Sequence, residues 1–279
     1  MSVYPTTHFD QKIAIVGGGL VGPTAELFLR AAGFSDVTTY EATTKNAQSG
    51  GIVGLNGAAS FALRGVGIDP DALTASQATQ GMVYDISPDG ETTSSRAVDL
   101  GGVNVAWDVL HQAVTQEGTV RQGKRAIGIA AGDRGAVVSF DDSTSIEADI
   151  VVFADGRNSF GRSVLGPQQE PTYQDHVIWR GITRPPSPAP DCFSCYKNTD
   201  EGVVLFVSDP ITRGVHSGRS DWLLYQNVTA DAYRDLLGIT PQSRYYVQAK
   251  HVTTKAREAL EGYAQAKLPE HLAANGIAH

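Results

Sequence analysis

The chain is poor in sulfur: its 279 residues include two cysteines and two methionines. Two thiols cannot make a disulfide scaffold, and no second pair completes a four-ligand zinc site. Cys192 and Cys195 do stand as C-x-x-C, but prolines precede them and a strand-like stretch follows, whereas a thioredoxin-type pair opens a helix after a strand. They are expected to be reduced thiols in or near a strand, and no metal site is expected. Basic clusters are also missing, and the net charge is −8. That argues against nucleic acid or an anionic membrane as the main partner. No apolar run approaches a membrane span in length. The opening M-S-V-Y-P-T-T-H-F-D has neither the positive start nor the apolar core of a secretory signal, so the expected compartment is the cytoplasm. There is no internal repeat. With 41% apolar and 19% charged residues, what is left is an ordinary globular composition, enough for one large domain or two modest ones.

Glycine, by contrast, is plentiful, and its placement is informative. The stretch Lys12 to Pro23, K-I-A-I-V-G-G-G-L-V-G-P, runs four apolar residues into Gly17, Gly19 and Gly22. A buried strand that ends in G-x-G-x-x-G and opens a helix is the dinucleotide-binding fingerprint. Gly17 makes the tight turn, Gly19 lets the backbone approach a pyrophosphate, and Gly22 lets the helix pack against the strand. The phosphates then meet the unpaired N–H groups and the positive dipole end of the helix. A short helix from Ala25 to Ala32 should follow, stopping at Gly33. Next comes D-V-T-T-Y-E, a second strand ending in Glu41, about 20 residues past the glycines, where a ribose-binding carboxylate is expected. An acid there suits the ADP half of NAD or FAD and repels the 2′-phosphate of NADP.

Further along, Gly50-Gly51 is expected to hold a polar loop close to a neighbour, and a helix to run from about Ala58 to Arg64. Gln80 to Ser95 reads as a hairpin turning at Ser87-Pro88-Asp89-Gly90. Val105 to Thr115 has helical spacing. The run Ile150 to Ala154 is continuously apolar, as a strand buried on both faces should be, and ends in Asp155-Gly156. Past Gly166 prolines become frequent. Strand-like segments around 176–183, 192–197, 202–208 and 221–228 predict an antiparallel sheet, and helices are expected at 230–237 and 254–266. The predicted fold class is α/β: a Rossmann-like nucleotide domain, discontinuous over 1–73 and 100–166, with a second, mostly antiparallel β-sheet domain over 74–99 and 167–279. Such domains bind ligands at the carboxyl ends of the parallel strands, and the second sheet is expected to make a cleft there for a small molecule.

Several of these residues resemble a known family. D-I-V-V-F-A-D-G-R-N-S-F-G-R is similar to the second flavin signature of the FAD-dependent aromatic hydroxylases, the p-hydroxybenzoate hydroxylase-like monooxygenases, with Ala154, Asp155, Gly156, Ser159 and Arg162 in its positions. Gly123-Lys124-Arg125 before a strand also fits. T-Y-Q-D-H-V-I-W-R-G, Thr172 to Gly181, looks like the start of the substrate-domain sheet in the dihydroxypyridine and urate hydroxylase branch. The resemblance implies that Gly17, Gly19, Leu20 and Gly22 cradle the FAD pyrophosphate and that Glu41 and Ala42 hold the adenosine ribose. It places Val53 near the flavin side, Ala126 against adenine through its backbone, and Asp155 with Gly156 at the flavin or its ribityl chain. Trp107 stands where much of the family has a flavin-contacting arginine. The family's third signature, a strand followed by G-D, has no counterpart: the only later Gly-Asp pair is Gly132-Asp133, in a hairpin.

The chemistry so implied is hydroxylation of an aromatic or N-heterocyclic small molecule, with NAD(P)H as co-substrate and O2. The protein must position the ring, move a proton and exclude water. Candidate proton carriers are His176 and His216, with Tyr225 and Tyr196 as hydrogen-bond partners. Trp179 is expected to pack in the core, and Arg180 to pair with an anionic substrate or with Asp175. The alternative is a truncated or non-catalytic FAD-binding protein that needs a partner chain for the missing segment; a homodimer is a further expectation.

Overall fold

The computed structural model describes residues 9–44, 50–76, 80–115, 120–133, 135–166, 172–238 and 247–274. Part of the loop expected after Glu41 and the last five residues lie outside them. The strands are β1 (Ile13–Val16), β2 (Val37–Glu41), β3 (Ile52–Asn56), β4 (Thr74–Ser76), β5 (Gln80–Ile86), β6 (Thr92–Asp99), β7 (Gly102–Ala106), β8 (Arg121–Gln122), β9 (Ala126–Ala131), β10 (Ala136–Phe140), β11 (Ser145–Ala148), β12 (Ile150–Phe153), β13 (His176–Thr183), β14 (Phe193–Asn198), β15 (Val203–Val207) and β16 (Ser220–Asn227). The helices are α1 (Val21–Ala31), α2 (Gly57–Gly65), α3 (Trp107–Thr115), α4 (Phe160–Leu165), α5 (Ala230–Leu237), α6 (Thr254–Lys267) and α7 (Glu270–Leu272). The chain forms two compact units, Met1–Gln48 with Gly65–Ile68 and Leu110–Gln169, and Ser49–Arg64 with Asp69–Val109 and Glu170–His279.

The first unit is built on a parallel sheet ordered β12-β1-β2-β8. All four residues of β1 are buried, because alternate side chains serve two cores. Ile13 and Ile15 pack with Val37 against Ala25, Leu29 and Phe34. Ala14 and Val16 pack with Tyr40 against Val138 and Phe140 of an antiparallel sheet, β11-β10-β9. The layers are therefore helix, parallel sheet and antiparallel sheet. Glu26, fully buried on α1, accepts from Arg30 Nε at 3.0 Å and from Thr39 Oγ1 at 2.6 Å, which ties the helix to β2. The strand expected to be buried on both faces, Ile150 onward, is β12 at the end of the sheet order, and Ile150 is 37% exposed. Apolar composition does not distinguish a central strand from a terminal one.

The second unit holds a six-stranded sheet ordered β13-β16-β15-β14-β5-β6. Its neighbours are antiparallel except for the parallel pair β14 and β5. Val203, Leu205 and Val207 alternate into a core covered by Ala264, Leu268 and Leu272. A fully buried leucine such as Leu205 or Leu224 contributes about 2 kcal/mol of transfer free energy there. Trp179 packs against this core, as expected, and its Nε1 donates to Gln226 Oε1 at 2.9 Å. A small antiparallel sheet, β3-β7-β4, belongs to the same unit.

Residues 49–64, 69–73 and 100–109, assigned on sequence to the nucleotide domain, thus group with the second unit. The helical spacing predicted from Val105 breaks as well: Val105 is fully buried in β7, paired with Val53 and Thr74, and α3 starts only at Trp107. A V-N-V-A run satisfies both periods, and the strand partners decide.

Candidate functional site

The glycine stretch forms the turn between β1 and α1. Gly17 has φ +116°, and a Cβ there would overlap the Ala154 carbonyl. A Cβ on Gly22 would overlap the Gly17 carbonyl oxygen, so the helix can approach the strand only without a side chain. Gly19 differs from both: a Cβ there meets no atom within 4 Å among the described residues, and its backbone is not in the left-handed region. Leu20 is the N-cap of α1 and supplies no side-chain cap, which leaves the first-turn amides to other partners.

Glu41 ends β2 beside this turn. Its Oε2 accepts from Gly18 N–H at 2.6 Å and its Oε1 from Thr43 N–H at 2.8 Å. Ala42 follows, half-buried. Ala126 opens β9, buried in the core with Tyr40 and Phe140. Asp155 follows β12 at the same end of the parallel strands. Gly161 N–H donates to its Oδ2 at 3.2 Å, while its Oδ1 is buried with no hydrogen-bond partner among the described residues. Gly156 beside it has φ +75° and open space where a Cβ would stand. The first unit thus gathers Gly17, Gly19, Leu20, Gly22, Glu41, Ala42, Ala126, Asp155 and Gly156 around the carboxyl ends of β1, β2 and β12.

Val53 and Trp107 lie in the second unit. Val53 sits mid-strand in β3, opposite Val105. Trp107 opens α3, and its N–H donates to Gly51 O at 3.0 Å. The expected close approach at Gly50-Gly51 is present: a Cβ on Gly50 would crowd the Trp107 side chain, and one on Gly51 would overlap Asp221 Oδ2 and Arg180 Nη2. The partner of Arg180 is Asp221, which corrects the expected pairing with Asp175. Arg180 donates from Nη2 at 2.6 Å to Oδ2 and from Nε at 3.2 Å to Oδ1 of this carboxylate, which is 2% exposed. The pair also grips both backbone groups of Ile52: its N–H donates to Asp221 Oδ2 at 2.7 Å, and its carbonyl accepts from Arg180 Nη2 at 3.2 Å.

His176 and Tyr225 stand on adjacent strands with ring centroids 6.5 Å apart. His176 Nδ1 is 3.0 Å from Gln174 O, and a carbonyl can only accept, so Nδ1 carries the proton and a neutral ring keeps Nε2 as the acceptor. His216 is elsewhere, in the turn after Ile211, where its carbonyl accepts from Arg219 N–H at 3.1 Å. None of the described contacts joins it to His176 or Tyr225. Tyr196 is buried under α7, and burial pushes its hydroxyl up to about 12, which removes it as a proton carrier near neutrality. Cys192 and Cys195 are free and half-buried, with thiols pushed up by burial, so they stay protonated.

Three residues escaped sequence reasoning. Asp221 reads as the polar position of an alternating strand, and only the fold places Ile52 and Arg180 on it. Asp108 holds Val215 N–H at 2.9 Å through Oδ2, with its Oδ1 buried and without a partner among the described residues. His111 on α3 places Nε2 2.8 Å from Gly18 O, 93 residues away in sequence. No local pattern signals any of them.

Comparison with known proteins agrees with this geometry. The family described as FAD binding domain matches residues 10–266. The 2,6-dihydroxypyridine 3-monooxygenase of Paenarthrobacter nicotinovorans is 29% identical over 235 residues, 80% of this chain and 57% of that protein. The aurachin C monooxygenase/isomerase of Stigmatella aurantiaca is 30% identical over 181 residues, 61% of this chain and 46% of that protein. The chain therefore spans about half the length of these curated relatives. Among solved structures, 2,6-dihydroxypyridine-3-hydroxylase from Arthrobacter nicotinovorans superposes with a TM-score of 0.76 at 22% identity, covering 99% of this chain and 70% of that one. Klebsiella pneumoniae HpxO, solved with FAD and uric acid, gives 0.72 at 19% identity, covering 100% and 68%. These likenesses establish the fold.

Proposed function

Because this chain belongs to the FAD binding domain family, we propose that it binds FAD through its first unit and is the larger part of an NAD(P)H- and O2-dependent monooxygenase acting on an aromatic or N-heterocyclic small molecule. The observation that carries the reading is the first unit's donor set. Gly19 offers backbone with room for a pyrophosphate, Glu41 offers a carboxylate at ribose distance in sequence, and Asp155 offers a buried oxygen that no group among the described residues satisfies. Buried carboxylate oxygens are normally hydrogen-bonded, so Asp155 Oδ1 fits a donor from a bound cofactor. Of this set, Gly17, Gly19, Leu20 and Gly22 would hold the pyrophosphate, Glu41 and Ala42 the ribose, Ala126 the adenine edge, and Asp155 with Gly156 the ribityl chain.

FAD supplies the redox and oxygen chemistry when bound. The protein's own part is binding, orientation and proton handling. In the second unit, Asp221 and Arg180 hold Ile52 and with it the strand that carries Val53, while Gly51 N-terminal to it admits no side chain. His176 Nε2 is the available proton acceptor, next to Tyr225. His216 is a second candidate on a separate turn. The 2,6-dihydroxypyridine in one relative's name and the uric acid bound in another's structure are nitrogen heterocycles, which supports that substrate class.

The test is direct. The purified chain should bind FAD with quenching of flavin fluorescence, and NADH or NADPH oxidation should rise when hydroxypyridines or urate are added. A chain that binds neither FAD nor ADP defeats the reading. One that binds FAD and turns over none of these favours the non-catalytic or partner-dependent alternative.

A further inference from the structure

Both backbone groups of Gly18, which belong to successive peptides, are held. Glu41 Oε2 accepts its N–H at 2.6 Å, and His111 Nε2 meets its carbonyl oxygen at 2.8 Å. A carbonyl can only accept, so Nε2 carries the proton and donates. The trans Gly18–Gly19 peptide is planar, so the Gly18 carbonyl and the Gly19 N–H point in opposite directions within one plane. A donor fixed on the carbonyl therefore also fixes the direction of the Gly19 amide, away from the imidazole. Glycine offers no side chain to do this, and Gly19 has no packed neighbour where a Cβ would stand. Left alone, this peptide could rotate at small cost.

We infer that His111 is a positioning residue for the cofactor loop: its Nε2–H sets the plane of the Gly18–Gly19 peptide and so pre-aims the Gly19 N–H at an anionic pyrophosphate. The inference rests on the FAD reading for the identity of the anion, but not for the hydrogen bond itself. Pre-aiming removes the ordering cost that a bound anion would otherwise meet, so it acts on affinity. His111 makes no contact with reacting atoms in this role.

The test compares H111Q, whose side-chain amide can donate from nearly the same place, with H111M, which has similar length and no such donor. FAD and ADP affinities are measured by titration calorimetry, beside amide hydrogen exchange in the unliganded protein. H111M is expected to weaken both ligands about tenfold, the scale of one lost hydrogen bond in a preorganised site, while H111Q stays within about threefold of wild type. In the unliganded protein, exchange at Gly18 should quicken in H111M and not in H111Q, with Ile13 to Val16 unchanged in both. Equal losses in the two variants, or no loss in H111M, overturn the proposal. If wild type binds neither ligand, the FAD reading fails separately and the exchange rates alone decide the positioning role. If H111M does not fold, 15N NMR of the wild-type imidazole decides: a proton on Nε2 sustains the inference, and a bare Nε2 overturns it.

Discussion

Two glycine turns, one in each unit, look alike in sequence and differ in what surrounds them. Around Gly50-Gly51 the space is filled: Trp107 crowds one glycine, and the Asp221–Arg180 pair crowds the other. Around Gly17 to Gly22 two glycines are forced by backbone contact, but Gly19 is not forced by any described neighbour. A glycine required by packing records how the chain fits itself. A glycine that packing does not require, beside a Gly18 whose N–H is held by Glu41 and whose carbonyl is held by His111, leaves backbone open to a ligand. The comparison teaches that glycine alone does not identify a binding loop; open space beside fixed amides does.

Substitution at each turn can break or sharpen this contrast. The largest effect is expected for Gly17→Ala, which combines positive φ with overlap against the rigid Ala154 backbone. It should cost roughly 3 kcal/mol or more in chemical denaturation. Gly51→Ala should cost less, about 2 kcal/mol, because the overlapping atoms belong to side chains that can shift. Part of that loss is the loosened grip on Ile52, so the same variant should raise amide exchange along β3. Gly19→Ala should reverse the pattern: stability within about 0.5 kcal/mol of wild type and FAD affinity down about tenfold by fluorescence titration. A destabilised G19A with unchanged FAD affinity would erase the distinction between the turns.

The smallest expected effect separates the units by pH. Burial holds His271, packed edge-on to Tyr196, below its ordinary 6.5. The folded state then binds this proton less readily than the unfolded chain. The second unit should lose stability as pH falls below 6.5 through the lowered folded value, and be unaffected above it. His271→Phe keeps a ring there and removes the proton, so its melting temperature should fall less than wild type's between pH 7 and 5. The exchange of the Gly17 to Gly22 amides should be indifferent to this substitution.

Much of the first unit was legible in the chain. Strand β1, the glycine turn, the helix after it, the acid at the end of β2 and the A-D-G after β12 each follow from local rules of burial, sterics and turn chemistry. The order of strands was not legible, since Ile150 to Phe153 reads as central and lies at one end of its sheet. Nor was the start of α3, because Val105 suits a strand and a helix equally and its cross-strand partners decide. The site divides in the same way. Gly17, Gly19, Gly22 and Glu41 were singled out by spacing and Asp155 by the family resemblance, since those signals are carried by backbone geometry within a few residues. Asp221, the true partner of Arg180, and His111, the partner of Gly18, were hidden, since each acts across 41 and 93 residues respectively.

The sequence by itself determined that a strand, a glycine turn and an acid would meet at one end of a parallel sheet, because those features are local. Only the tertiary structure decided which glycine is free, which carboxylate oxygen lacks a partner among the described residues, and which histidine meets the Gly18 carbonyl. Those properties belong to space shared by distant segments, and no run of neighbouring residues encodes them.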